Sequence, residues 1–112
     1  MAYDRAFQAL GDPTRREVFE RLRRGPRSVG EIAGGLPVSR PAVSQHLKIL
    51  KDAGLVVVRK DGARNLYSPD PQALADLRRY FEGFWDDALA GFKDVVEGRS
   101  PRGGGRKKRR SR

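Results

Sequence analysis

The chain has 112 residues, no cysteine and a formal net charge of +10. That length suits one domain with a modest core, and the lack of cysteine excludes disulfides, thiolate metal sites and a cysteine nucleophile, fitting a reducing cytosol. No apolar run approaches the ~20 residues of a membrane span, and residues 1–25 carry too many charges for a signal peptide.

"DRAFQALGD" predicts a short helix over residues 4–10, stopped at Gly11. Asp12-Pro13 restarts the chain, with Asp12 as N-cap and Pro13 at the first helical position, where its missing N–H costs nothing. Val18, Phe19 and Leu22 form the apolar face of this second helix, and Gly25-Pro26 is expected to end it. "SVGE" at residues 28–31 is a capping box that opens a third, short helix, closed by Gly34-Gly35. Ser39 is a further N-cap with Pro41 in the first turn, and the helix it starts is expected to run to Ala53, with Gly54 as its stop.

"LVVVRK" is short and β-branched, Asp61-Gly62 is a strong hairpin signal, and "NLYS" returns as a second strand. Asp70-Pro71 repeats the cap-plus-proline start. From Pro71 to about Glu97, Leu74, Leu77, Phe81, Phe84, Ala88, Phe92 and Val95 recur at helical spacing, widened by Trp85 and Leu89. Gly83 and Gly91 weaken this helix or let another backbone approach closely. A short helix, a tight turn, a longer helix and a two-stranded hairpin make the layout of a winged helix-turn-helix, mainly α with one β-hairpin. Residues 1–98 are expected to form that domain. Residues 99–112 are expected to be a disordered basic tail.

The charge is uneven. The tail holds eight Lys or Arg and no acid, and without it 16 basic and 14 acidic residues remain. Residues 71–98 are net −3, so residues 1–70 are +5. Positive charge in these two places suggests a polyanionic partner, nucleic acid being the usual one, although +5 on the body also fits plain solubility.

At 100° per residue, Val43, Leu47 and Leu50 fall within about 60° of one another and face the core. Pro41, Gln45, Lys48 and Asp52 lie opposite, with Ser44 on the flank. Gln can pair with an adenine edge, Ser with several edges, and Lys with guanine or phosphate. The helix N-terminus, with Ser39 and Arg40, also attracts phosphate. The competing reading is an ordinary polar face. His46 falls between the two faces, as a packing residue or a DNA contact. A lone histidine cannot make a metal site without several carboxylates, so no metal or other cofactor is expected. Arg59, Lys60 and Arg64 flank the hairpin tip, either as solubilising charge or as a wing resting on the DNA backbone, with Arg64 near the minor groove. The aromatic surface of the last helix is too large for a small domain to cover, which points to a two-fold dimer carrying two reading helices to a pseudo-palindromic site on double-stranded DNA.

"ALGDPTRREVFERL", "VSRPAVSQHLKILKDAGLV" and "GARNLYSPDPQAL" resemble the ArsR family of bacterial winged-helix repressors. "FEGFWDDALAGF" is similar to its metal-free, SdpR-like autorepressors, and the likeness covers roughly residues 3–96. It implies a recognition helix at 40–53, a wing at 55–68 and a homodimer built through the first and last helices. On this chain those contacts fall at Phe7, Leu77, Phe81, Phe84, Trp85, Ala88 and Phe92. It implies repression of a neighbouring operon, often including the regulator's own gene, in the cytoplasm. Metal-sensing members carry paired cysteines where this chain has "SVGEIA", and others place histidines in the last helix, which here has none. Their metal-sensing role therefore does not carry over, and the inducer is not written in the sequence. A nonspecific architectural DNA coat driven by the tail is the alternative, and it would have no use for Ser44 and Gln45. No catalytic Ser/His/Asp set, phosphate loop or metal cluster argues for an enzyme.

Overall fold

The computed structural model describes residues 3–98. Seven elements follow in order: α1 (Tyr3–Leu10), α2 (Pro13–Glu20), α3 (Val29–Gly34), α4 (Arg40–Asp52), β1 (Val56–Asp61), β2 (Arg64–Pro69) and α5 (Pro71–Val96). The chain divides into two compact units, Met1–Leu77 and Arg78–Arg112. The expected tail at 99–112 lies outside the described residues.

In the first unit, the helix starts form where local hydrogen bonding sets them. The Asp12 side chain accepts from the Arg15 N–H at 3.0 Å. Ser28 and Glu31 complete their capping box, the Ser28 hydroxyl accepting from the Glu31 N–H at 3.2 Å and the Glu31 carboxylate from the Ser28 N–H at 2.9 Å. The Ser39 hydroxyl accepts from the Ala42 N–H at 3.3 Å. Helix α2 ends at Glu20, earlier than its apolar pattern suggests. Beyond it the chain tightens into turns, with Leu22 N–H donating to Phe19 O and Arg23 N–H to Glu20 O. Leu22 remains in the core from this tightened segment.

The core is formed by Ala6, Ala9, Val18, Leu22, Ile32, Val43, Leu47, Leu50, Leu55 and Val56, closed by Ala73 and Leu77 from the first turns of α5. Helix α4 is its centre and packs on α2, α3 and β1. The turn before α4 is held by Arg21, whose guanidinium donates to Gly35 O at 2.7 Å. The hairpin is antiparallel, pairing Val56 with Pro69 and Asp61 with Arg64. Gly62 and Ala63 therefore form the turn, and Gly62 supplies its left-handed residue at φ 64°. Arg27 exchanges two backbone hydrogen bonds with Tyr67, tying the segment before α3 to β2.

The second unit, among the described residues, is the remainder of α5. Arg78–Glu82 and Lys93–Glu97 pair along it at 3.2 and 3.9 Å. Tyr80 meets Phe81 and Phe84 edge to face, with ring centroids 5.4 and 5.3 Å away. A Cβ added at Gly83 or Gly91 would meet nothing within 4 Å.

Candidate nucleic-acid interface

Helix α4 owes its two-faced character to three aliphatic anchors. Val43, Leu47 and Leu50 are completely buried, which fixes the helix's rotation. Arg40, Pro41, Ser44, Gln45 and Lys48 are consequently exposed together on the other side, as the periodicity predicts. Ser39 is also exposed, but its hydroxyl is engaged as the N-cap. Lys48 reaches Asp52 one turn on at 3.0 Å, and this hydrogen bond is the chief reason the Asp52 carboxyl titrates below its ordinary 3.8. Ser44 and Gln45 are left as short, neutral groups that can both donate and accept.

His46 sits at the edge of that face, half-buried, with Nδ1 shielded from solvent and without a hydrogen-bond partner among the described residues. The Asp12 carboxyl at the start of α2 is held below 3.8, chiefly by the Arg15 N–H. Arg40 lies across the first turn of α3, and a Cβ at Gly30 would come within 2.7 Å of its guanidinium. The absence of a side chain at Gly30 gives Arg40 that path.

Strand alternation separates the wing cations. Lys60 and Val58 share one face of β1, across from Asn65 and Tyr67 on β2, while Arg59 pairs with Leu66 on the opposite face. Arg64 starts β2 between two carboxylates, Asp61 at 3.5 Å and Glu31 of α3 at 4.0 Å. Glu31 is itself held below its ordinary 4.5, first by the Ser28 backbone N–H and also by Arg64.

The face bearing Lys60 looks onto α4. Ser44, Lys48 and Lys51 from the helix and Val58, Lys60, Asn65 and Tyr67 from the hairpin line one cleft of about 400 Å³. Lys51, Asn65 and Tyr67 were not expected at the site. The signal for Lys51 is its spacing, since residues 44, 48 and 51 recur on one helical face. The signal for Asn65 and Tyr67 is the strand register.

The residues expected at a dimer contact are split. Phe81, Phe84, Trp85, Ala88 and Phe92 are exposed on α5, with Trp85 at 66% and Phe92 at 67%, and Phe7 on α1 is at the margin of exposure. Leu77 is buried in the first unit's core, because the opening turns of α5 close that core. Among the described residues no helix is long and apolar enough to cross a membrane. No group of three or more acidic or histidine side chains there is placed to hold a metal ion.

A family model described as a helix-turn-helix domain matches residues 10–59. The HTH-type transcriptional regulator Rv2034 of Mycobacterium tuberculosis is 55% identical over 94 residues, covering 84% of this chain and 88% of that protein. The transcriptional repressor SdpR of Bacillus subtilis is 36% identical over 78 residues, covering 70% and 87%. Among solved structures, an ArsR-like transcriptional regulator from Rhodococcus sp. RHA1 aligns with a TM-score of 0.68 at 35% identity, covering 87% of this chain and 92% of that one. The homodimeric winged helix-turn-helix DNA-binding domain of a possible ArsR-family regulator from Mycobacterium bovis aligns with a TM-score of 0.62 at 29% identity, covering 78% and 81%. With α4 anchored by its buried face, a two-stranded hairpin after it and relatives matched over most of their length, the chain belongs to the ArsR family of winged helix-turn-helix transcriptional regulators.

Proposed function

We propose that this regulator is a homodimeric, sequence-specific repressor of its own or a neighbouring operon, acting in the cytoplasm without a metal inducer. Residues 1–98 serve as its DNA-binding and dimerisation module. The observation that carries the reading is the exposed Ser44–Gln45–Lys48 face of α4, held outward by buried Val43, Leu47 and Leu50. Arg40 and Pro41 extend that face toward the helix N-terminus, where phosphate is favoured. The exposed aromatic row of α5 supports assembly with a second copy, because a single chain leaves Phe81, Phe84, Trp85 and Phe92 more than half exposed. A two-fold pair would carry two copies of α4 to adjacent major grooves.

Footprinting on the gene's own upstream region tests this. The expected result is protection of an inverted repeat with half-sites about one or two helical turns apart, ~34 Å per turn. Ser44→Ala with Gln45→Ala should cost roughly 1–3 kcal/mol per good base contact on that site and much less on random DNA. Equal losses on both would favour a nonspecific coat.

A further inference from the structure

We infer that the cleft between α4 and the hairpin is a seat for a single phosphate of the DNA backbone, gripped jointly by Lys51 and Lys60. This rests on the DNA-binding reading above and adds a contact that the reading helix alone would lack. Its walls are one face of a helix, Ser44, Lys48 and Lys51, and one face of a sheet, Lys60, Asn65 and Tyr67. Among the described residues, three lysines line the cleft and no carboxylate does. Lys48 is neutralised in part by Asp52, which stands outside it. Lys51 and Lys60 make no ion pair among the described residues; Lys51 shares the Asp52 carboxylate with Lys48 only at a distance, so three lysines against that one carboxylate leave the cleft with a positive excess.

Like charges gathered around one recess repel, and an anion between them removes that cost. The Asn65 amide and the Tyr67 hydroxyl add neutral donors to the same wall. A compact ammonium on a flexible stem grips phosphate as a point charge and reads little shape, so the cleft suits the backbone and leaves base edges to Ser44 and Gln45. At about 400 Å³ it has room for a phosphodiester with its sugar. A phosphate held from both sides would also lock the wing against the reading helix, fixing register without carrying sequence information.

The test uses Lys51→Gln, Lys60→Gln and the double variant in the full chain, with thermal melts confirming that each folds. Binding is titrated on the footprinted operator and on a random duplex at several salt concentrations. The double variant is expected to weaken both duplexes by similar factors, and its salt slope should fall by about 0.9 per protomer, the value for one phosphate. A slope change near twice that, with the two single variants additive, would mean two separate phosphates and would overturn the joint seat. An operator scanned with single methylphosphonate linkages is expected to show one position per half-site at which the double variant costs nothing. Finding no such linkage overturns the seat, and specificity lost through Ser44 and Gln45 would still stand, so the two readings fail separately. Inorganic phosphate supplies the other source of the same chemistry. If it binds the DNA-free protein through Lys51 and Lys60 while the double variant keeps full DNA affinity, the cleft serves a free anion and the proposal is wrong.

Discussion

At the scale of single residues, the caps carry the clearest consequences. The side chains of Ser28 and Glu31 each accept from the other's backbone N–H at the start of α3, the helix that precedes α4. Ser28→Ala should cost about 1 kcal/mol of stability, read as a shift in urea midpoint. The carboxyls of Asp12 and Glu31 are both depressed in the folded chain, each chiefly by a backbone N–H. Their contribution is therefore complete above the ordinary values of 3.8 and 4.5 and is lost as pH falls through the lower folded values. Glu31→Gln keeps an acceptor for the Ser28 N–H but does not titrate. Urea midpoints measured from pH 6 downward should decline less steeply below about pH 4.5 for this variant than for wild type. Parallel declines would show that Glu31 contributes nothing to the acid response. The position of Arg64 at the wing tip suggests a DNA contact, yet its guanidinium stands between the carboxylates of Asp61 and Glu31, which offset its charge there.

At the scale of elements, α5 is the helix whose exposed surface most exceeds what a solvated helix needs. Leu77 and Ala73 are absorbed by the core, while Phe84 and Trp85 are 60% and 66% exposed. Placing a charge on the exposed row should break assembly without opening the core of the first unit. Phe84→Glu is expected to give a folded chain with unchanged helical content whose mass by light scattering is that of a monomer, and operator affinity should fall with it. Wild type that is monomeric at micromolar concentration would remove the basis for this. Trp85→Ala should weaken the pair in the same direction.

Across the molecule as a whole, net charge and its placement are expected to govern how the protein meets DNA. The eight basic residues at 99–112 stand outside the described residues, and their role is a prediction from charge alone. Deleting residues 99–112 should lower affinity for operator and random duplex by similar factors and flatten the salt dependence by about 0.9 for each phosphate no longer neutralised. An unchanged slope would mean that the tail does not touch DNA, and a collapsed specificity ratio would mean that it reads a groove. Zinc, nickel, arsenite and EDTA should all leave operator affinity unchanged, since the chain has no thiolate and one histidine. A stoichiometric metal whose removal releases DNA would overturn this.

Features that neighbours along the chain decide are legible in the residues alone. Asp12, Ser28 and Ser39 cap because each accepts from an N–H three residues on, and the spacing of Val43, Leu47 and Leu50 fixes which side of α4 faces outward. The glycine after Asp61 foretold the hairpin turn, though the residues that make the turn are Gly62 and Ala63. Which faces meet depends on the packing of whole elements. Strand alternation separates Arg59 from Lys60, but the packing of the hairpin on α4 determines that Lys60, Asn65 and Tyr67 share a cleft with Lys51. Likewise the apolar stripe of α5 runs unbroken through Leu77, and only the extent of the core shows that the stripe is buried there and exposed beyond it. Backbone hydrogen bonds within a helix or turn close over a few residues and leave their mark in local sequence. Contacts between elements depend on how far each element extends and how it is rotated, which no short stretch of sequence encodes.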